Sequence, residues 1–343
     1  MISVVIPIYN EEEIVERLTR EVGDVMDQTG EAWEAIYVND GSRDDSLALL
    51  LRQQARDAHI IVVDLSRNWG HQPAITAGLA QVSGEAVILM DGDLQDPPST
   101  IFDMLDAWRA GAQVVIAERR SRGENVLRRF LFSCFYKALA RLSDFPIPLN
   151  AGIFSLLDRQ VVDAVNSLSE SNRYLPGLRA WVGFPVSMVY YDRAPRAAGE
   201  PKQTFSRLLR YGLDAIFSFS YKPLRFGLLA GVAIASVSVF LACLFLVLRI
   251  LGIGLFGADV VYGYTSIIVS VLFLGGVQLI SVGILGEYVG RVYDEVKRRP
   301  LYIVQKVYER REPGYRVSVT ARRAGDAAES ETRPQTAPSR SEP

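Results

Sequence analysis

Residues 85–98 read EAVILMDGDLQDPP, an uninterrupted apolar run that stops in a cluster of acids and then in two prolines. Glu85–Met90 has the length and apolar continuity of a strand buried on both faces, since a half-exposed strand would alternate polar and apolar positions. Pro97 and Pro98 prevent a helix from running directly out of it. Working outward, Ile2–Ile8, Glu34–Val38, Ile60–Leu65 and Gln113–Ala117 carry the same strand signature. Between them Glu11–Gln28, Asp44–Arg56, His71–Gln81 and Ser99–Ala110 read as helices, with Asp44 and Ser99 placed as N-caps. This alternation predicts an α/β fold on a doubly wound, mainly parallel sheet.

Sheets of that kind bind ligands beyond the carboxyl ends of their strands. The residues that follow the first strand are Tyr9, Asn10 and Glu11, just after Pro7; the second delivers Asn39 and Asp40, the third Asp64 and Asn68, the fourth Asp91, Asp93, Gln95 and Asp96. Acids at strand ends often do no more than cap the next helix, which is a sufficient reading for Asp44 or Asp64. Asp91 and Asp93 are separated only by Gly92, so both can face one cation, and oxygen ligands of this kind suit Mg²⁺ or Mn²⁺. Neither a GxGxxG dinucleotide fingerprint nor a GxxxxGK[ST] phosphate loop is present. The presence of only His59 and His71 argues against a multi-histidine metal site.

The chain has 343 residues, 49% hydrophobic and 22% charged, with 37 Lys+Arg against 39 Asp+Glu and a net charge of −2. That balance argues against a nucleic-acid partner. A mean hydropathy of +0.13 in so charged a chain means that the apolar residues are concentrated. Residues 226–248 and 260–286 contain no charged side chain, and each is long enough for a bilayer's roughly 20-residue span. The short connection between them makes a hairpin, and Lys222, Arg225, Arg291, Lys297, Arg298 and Arg299 on its flanks place those flanks in the cytoplasm. Phe205–Tyr221 repeats apolar residues at helical spacing and reads as an interfacial helix in the headgroup layer. Basic clusters at residues 119–129 and 193–225 suit anionic headgroups or a phosphorylated lipid. Cys134 and Cys243 lie in different regions and do not suggest a disulfide. The expected organisation is a cytoplasmic catalytic domain over 1–204, a juxtamembrane helix over 205–225, two spans within 226–286, a basic segment over 287–311 and a disordered tail over 312–343.

VVIPIYNEEE, YVNDGSRDDS, SRNWGHQPAITAGL and DGDLQDPP together resemble the family 2 inverting glycosyltransferases of GT-A fold. Within them the chain is similar to the polyprenyl-phosphate glycosyltransferases, which include bactoprenol glucosyltransferases and dolichol-phosphate mannose synthases. The resemblance runs from Ile2 to about Gly286. It implies that Pro7, Tyr9, Asn10 and Glu11 line the nucleotide end of a donor pocket and that Asp40 contacts the nucleobase. It implies that Asp93 and Gln95 hold a divalent metal, with Asp91 sharing that role. Arg119, Arg128, Arg129 and Lys202 would then meet an acceptor phosphate.

The resemblance has two departures. Pro201 stands where the family segment RxxGESK has serine, and Ile153 stands where glucosyltransferase relatives often carry an acid that is a candidate general base. A phosphate monoester, with a second pKa of about 6, is largely dianionic at neutral pH and does not require that base. The implied activity is transfer of one hexose, with UDP-glucose as the expected donor, to undecaprenyl phosphate at the cytoplasmic face. Two other readings are a processive polysaccharide synthase, disfavoured because Arg179-Ala180-Trp181 is only an echo of QxxRW, and a non-catalytic nucleotide-sugar-binding scaffold. Gly275 and Gly276 permit close helix approach and hence self-association.

Overall fold

The computed structural model describes residues 1–119, 152–170, 173–192, 222–251 and 261–309. They fall into two compact units, one holding residues 1–119, 152–170, 173–192 and 298–309, the other holding 222–251 and 261–297. The expected interfacial helix at 205–221, the tail from 312, and Arg128, Arg129 and Lys202 lie outside the described residues.

The first unit is the predicted alternation. Strands β1 (Ile2–Ile8), β2 (Trp33–Asn39), β3 (Ile60–Leu65), β4 (Ala86–Leu89) and β5 (Val114–Arg119) are joined by helices α1 (Val15–Gln28), α2 (Ser46–Arg56), α3 (His71–Leu79) and α4 (Thr100–Arg109). β6 (Ser155–Asp158), α5 (Arg159–Ser167), α6 (Leu175–Trp181), β7 (Val186–Tyr191) and β8 (Val304–Tyr308) complete it. The sheet order is β7-β5-β6-β4-β1-β2-β3-β8. β1 pairs in parallel with both β2 and β4, and β2 pairs in parallel with β3, whereas β6 and β8 run antiparallel to their neighbours.

Every residue of β1 is buried, and the two faces feed two cores. Ile2, Val4, Ile6 and Ile8 pack with Val15, Leu18 and Met26 of α1, Leu50 of α2 and Met104 of α4. Val5 faces the other way, with Ala74 and Ile75 of α3, Val161 of α5 and Leu175 of α6. Burial on both sides explains why these strands read as continuous apolar runs. The one polar residue of β1, Ser3, is satisfied: its hydroxyl donates to Glu34 Oε1 at 2.6 Å and accepts from Gly84 N at 2.8 Å.

Helix starts differ from the sequence reading. α1 begins at Val15 rather than Glu11, because Glu11 and Glu12 are bound to the loop after β2. Ser99 stands at the start of α4 without a side-chain cap. Asp44 does receive Ser46 N at 3.1 Å, one residue ahead of the α2 N-cap position, Asp45. The antiparallel β8, which pairs with β3, comes from a segment read only as basic.

In the second unit, α7 (Lys222–Ile250) and α8 (Val261–Lys297) line a common cavity through Ala233, Ile234 and Val237 of one and Ser270, Phe273 and Leu274 of the other. Leu228, Leu229, Leu279 and Ile280 are exposed. Among the described residues, Phe273–Lys297 is long and apolar enough to cross a membrane, while Gly227–Leu241 is apolar but shorter.

Candidate active site

β1 is where the strand order reverses: β2 and β3 lie on one side, β4 on the other. The loops leaving the carboxyl ends of β1 and β4 therefore diverge, and the crevice between them is the expected ligand site. Pro7 is buried inside β1, and Tyr9, Asn10 and Glu11 follow it at this crevice. Asp91 and Asp93 leave β4 next door. Gly92 permits this close approach, since a Cβ there would lie 2.7 Å from Ile8 Cδ1 and 3.0 Å from Pro7 O.

Hydrogen bonds fix the loop after β1 to the loop after β2. Asn10 adopts the left-handed conformation (φ 53°) that asparagine tolerates better than most residues. Its N–H donates to Ser42 Oγ at 3.1 Å, and its Oδ1 accepts Arg43 N at 2.8 Å. Glu11 N donates to Ser46 Oγ at 2.9 Å, and Glu12 Oε2 accepts Asp45 N at 2.9 Å. Behind them Asn39 Nδ2 donates to Asp64 Oδ1 at 2.7 Å.

Asp40 is buried, and both its oxygens are engaged: Oδ1 accepts Trp69 N at 2.7 Å and Oδ2 accepts Gly70 N at 3.0 Å. Burial raises its pKa above the ordinary carboxylate range, an effect opposed by those two N–H groups and by His71. Burial likewise raises Asp64, against the Asn39 hydrogen bond.

The acidic turn is partly exposed at Asp91 and Asp93, whereas Gln95 is buried. Gln95 N donates to Asp93 Oδ1 at 3.1 Å, which orients that carboxylate. Leu94, between them, sits at φ 53°, a conformation costing about 1–3 kcal/mol for a bulky residue and held here by burial of its side chain. Asp91 Oδ1 lies 2.9 Å from His71 Nε2, at the head of α3. No group of three or more His, Cys, Asp or Glu side chains that could enclose a metal occurs among the described residues. Two partly exposed carboxylates without a cage fit a cation such as Mg²⁺ or Mn²⁺, which keeps positions for water and substrate oxygens.

Of the expected phosphate-binding cations, Arg119 is described, exposed at the end of β5. Its register partner in the parallel β5–β7 pair is Tyr191. Tyr191 is buried, packs edge-on against Phe154 at 5.6 Å, and donates its hydroxyl to Asp96 Oδ1. Burial and the Asp96 hydrogen bond raise the phenol's pKa, while an Arg119 hydrogen bond to the phenol acts the other way. The loop of Asp91 and Asp93 is thereby linked through Asp96 and Tyr191 to Arg119. Sequence reasoning missed this link and the His71–Asp91 contact. His71 was findable, as the first residue of a predicted helix at the ligand edge; Tyr191 was not, because only the register of β7 on β5 brings it there.

Residues 3–165 match the family described as Glycosyl transferase family 2. The chain is 41% identical over 307 residues to the glycosyltransferase YkcC of Bacillus subtilis, covering 89% of this chain and 94% of that protein. It is 40% identical over 306 residues to the SfII prophage-derived bactoprenol glucosyl transferase of Shigella flexneri, covering 89% and 97%. Glucosyl-3-phosphoglycerate synthase from Mycobacterium tuberculosis, solved with Mn²⁺, UDP and glucosyl-3-phosphoglycerate, is similar in structure with a TM-score of 0.44 at 19% identity, covering 63% of this chain and 77% of that one. With this extent of identity beside an acidic turn at the switch point of its sheet, the chain belongs to the family 2 glycosyltransferases and is a homologue of the bactoprenol glucosyl transferases.

Proposed function

We propose that this enzyme transfers a single glucosyl residue from UDP-glucose to undecaprenyl phosphate at the cytoplasmic face of the membrane, with inversion. The observation that carries the reading is the acidic turn at the β1–β4 crevice, in a chain similar over nine-tenths of its length to a bactoprenol glucosyl transferase.

Pro7, Tyr9, Asn10 and Glu11 border the nucleotide. Asp40 keeps lone pairs beyond the two spent on Trp69 and Gly70, enough to accept from a base N–H. Asp91 and Asp93, with Gln95 behind them, would hold Mg²⁺ or Mn²⁺, which when bound neutralises charge on the departing diphosphate. Arg119, with Arg128, Arg129 and Lys202, meets the acceptor phosphate, whose own oxygen attacks. Ile153 supplies no proton acceptor, and a dianionic phosphate requires none; the protein's contribution is placement and charge neutralisation.

The acceptor explains the second unit. The exposed apolar faces of α7 and α8 are read as a two-span hairpin that anchors the enzyme beside the isoprenoid tail, and Gly275 and Gly276 offer a face for self-association. The test is a donor screen with undecaprenyl phosphate and either metal, following radiolabelled lipid product and the nucleotide released. Glucosyl lipid and UDP are expected. A polymer on the gel, or no lipid product from any donor, overturns the reading.

A further inference from the structure

The two carboxylates of the acidic turn are held differently. Asp93 Oδ1 is oriented from within its own loop, by Gln95 N at 3.1 Å. Asp91 is met from another element: His71 Nε2, at the head of α3, lies 2.9 Å from its Oδ1, and among the described residues no other side chain bonds that carboxylate. The main chain around Asp91 has little play. Met90 N donates to Val5 O at 3.1 Å just before it, and Gly92 just after it fits closely against Ile8 and Pro7 O. What remains free is the side-chain torsion, and the imidazole fixes that. An ionised carboxylate only accepts, so Nε2 donates; one oxygen is engaged and the other keeps its lone pairs for a cation.

His71 is itself braced. The two residues before it give their backbone N–H groups to Asp40, Trp69 N to Oδ1 at 2.7 Å and Gly70 N to Oδ2 at 3.0 Å. Ala74 N donates back to Gly70 O at 3.1 Å, and Gln72 Oε1 accepts Leu175 N of α6 at 3.0 Å. Farther along the helix, a Cβ on Gly78 would lie 2.3 Å from Val5 Cγ1 and 3.0 Å from Val38 Cγ2, so α3 rests directly on β1 and β2. The imidazole therefore stands on a packed helix, against the strands whose ends build the crevice. A group anchored in this way can hold a ligand's direction, which a side chain on a loose loop does less precisely.

We infer that His71 is a positioning residue of the metal site: it holds Asp91 Oδ1 so that the second oxygen faces the cation, and the segment from Trp69 to His71 ties that carboxylate to Asp40 at the nucleobase end. The inference rests on the metal assignment in the reaction proposed above and deepens it by naming the group that aims Asp91. Hydrogen-bond partners of metal ligands are worth about 10- to 100-fold in metal affinity. With 46% of its side chain exposed, the ring packs too little for its loss to threaten the fold.

The test uses the full chain in detergent and reads free Mn²⁺ by its electron paramagnetic resonance signal, with and without UDP, beside thermal midpoints and the lipid-product assay. His71→Ala is expected to weaken Mn²⁺ binding about 10- to 100-fold at an unchanged thermal midpoint. The Mn²⁺ concentration for half-maximal rate should rise by the same factor, and saturating Mn²⁺ should restore the rate. His71→Gln, whose amide N–H can reach the same oxygen, should recover most of the affinity. With UDP present, His71→Ala should have no further effect in an Asp91→Asn background, since the histidine acts through that carboxylate. Mn²⁺ affinity that survives His71→Ala, whether or not the midpoint falls, overturns the inference. So does an equal loss in the Asp91→Asn background, which would make the imidazole a direct ligand of metal or diphosphate. Coupling of the two residues without any lipid product from wild type overturns the proposed transfer and leaves the positioning intact.

Discussion

At the β1–β2 flank of the carboxyl edge, polar groups answer one another: Asn10 with Ser42 and Arg43, Glu12 with Asp45, Asp40 with Trp69 and Gly70. At the β5–β7 flank Arg119 is exposed at the end of its strand and meets Tyr191, which in turn donates to Asp96. The first flank is held by hydrogen bonds of its own and, in the proposed reaction, would border the nucleotide. The second presents Arg119, the cation that the proposed reaction assigns to the acceptor phosphate. The proposed reaction thus asks hydrogen bonding of one flank and positive charge of the other.

The division breaks most severely if the turn between the flanks loses a charge. Asp93→Asn is expected to reduce lipid-product formation by at least about 10²-fold with the thermal midpoint unchanged; full activity removes the metal assignment. Tyr191→Phe keeps the ring against Phe154 but deprives buried Asp96 of a donor, so unfolding in denaturant should show a loss of about 1–3 kcal/mol. The same variant should raise the acceptor KM and leave the donor KM alone, since the phenol positions Arg119 and not the nucleotide; equal effects on both contradict the link.

Acidity probes the other flank. Asp40, with its raised pKa, takes up a proton at a higher pH than the roughly 3.9 of an exposed aspartate. Donor affinity, followed by calorimetry, should therefore fall on the acid side from above that value, and Asp40→Asn should bind weakly and show no such fall. Stability runs the opposite way. A folded-state pKa above the unfolded one means that Asp40 opposes folding when charged and ceases to do so as the pH drops through its folded pKa, and Asp64 contributes with the same sign. Smallest of all, Ser42→Ala removes an acceptor from the exposed Asn10 N–H, which water replaces, so stability should change by less than about 0.5 kcal/mol. A larger loss would show that the loop lock, and not the strands, holds the nucleotide flank together.

Local pattern carried the first half of the molecule. β1 and β3 have the bounds read from their apolar runs, because burial on both faces keeps each run apolar except for Ser3 and Asp64, both of which are buried and hydrogen-bonded. The acids of the β4 turn were legible for the same reason: strand ends in a parallel sheet share one edge, so order in sequence becomes proximity in space. α1 starts later than its periodicity suggests, since the loop after β2 competes for Glu11 and Glu12 and wins them. That competition is invisible without the partner loop. β8 stayed hidden because a five-residue strand is defined by the edge it joins, here β3, and not by its own composition.

By itself, then, the sequence determined the alternation, the acids at the strand ends, the turn after β4 and the apolar helices, all of which depend on spacing along the chain. The tertiary structure alone decided that Tyr191 stands between Arg119 and Asp96 and that His71 reaches Asp91. Those are facts of strand register and burial. A charge's chemistry depends on what surrounds it in space, and residues far apart along the chain supply those surroundings.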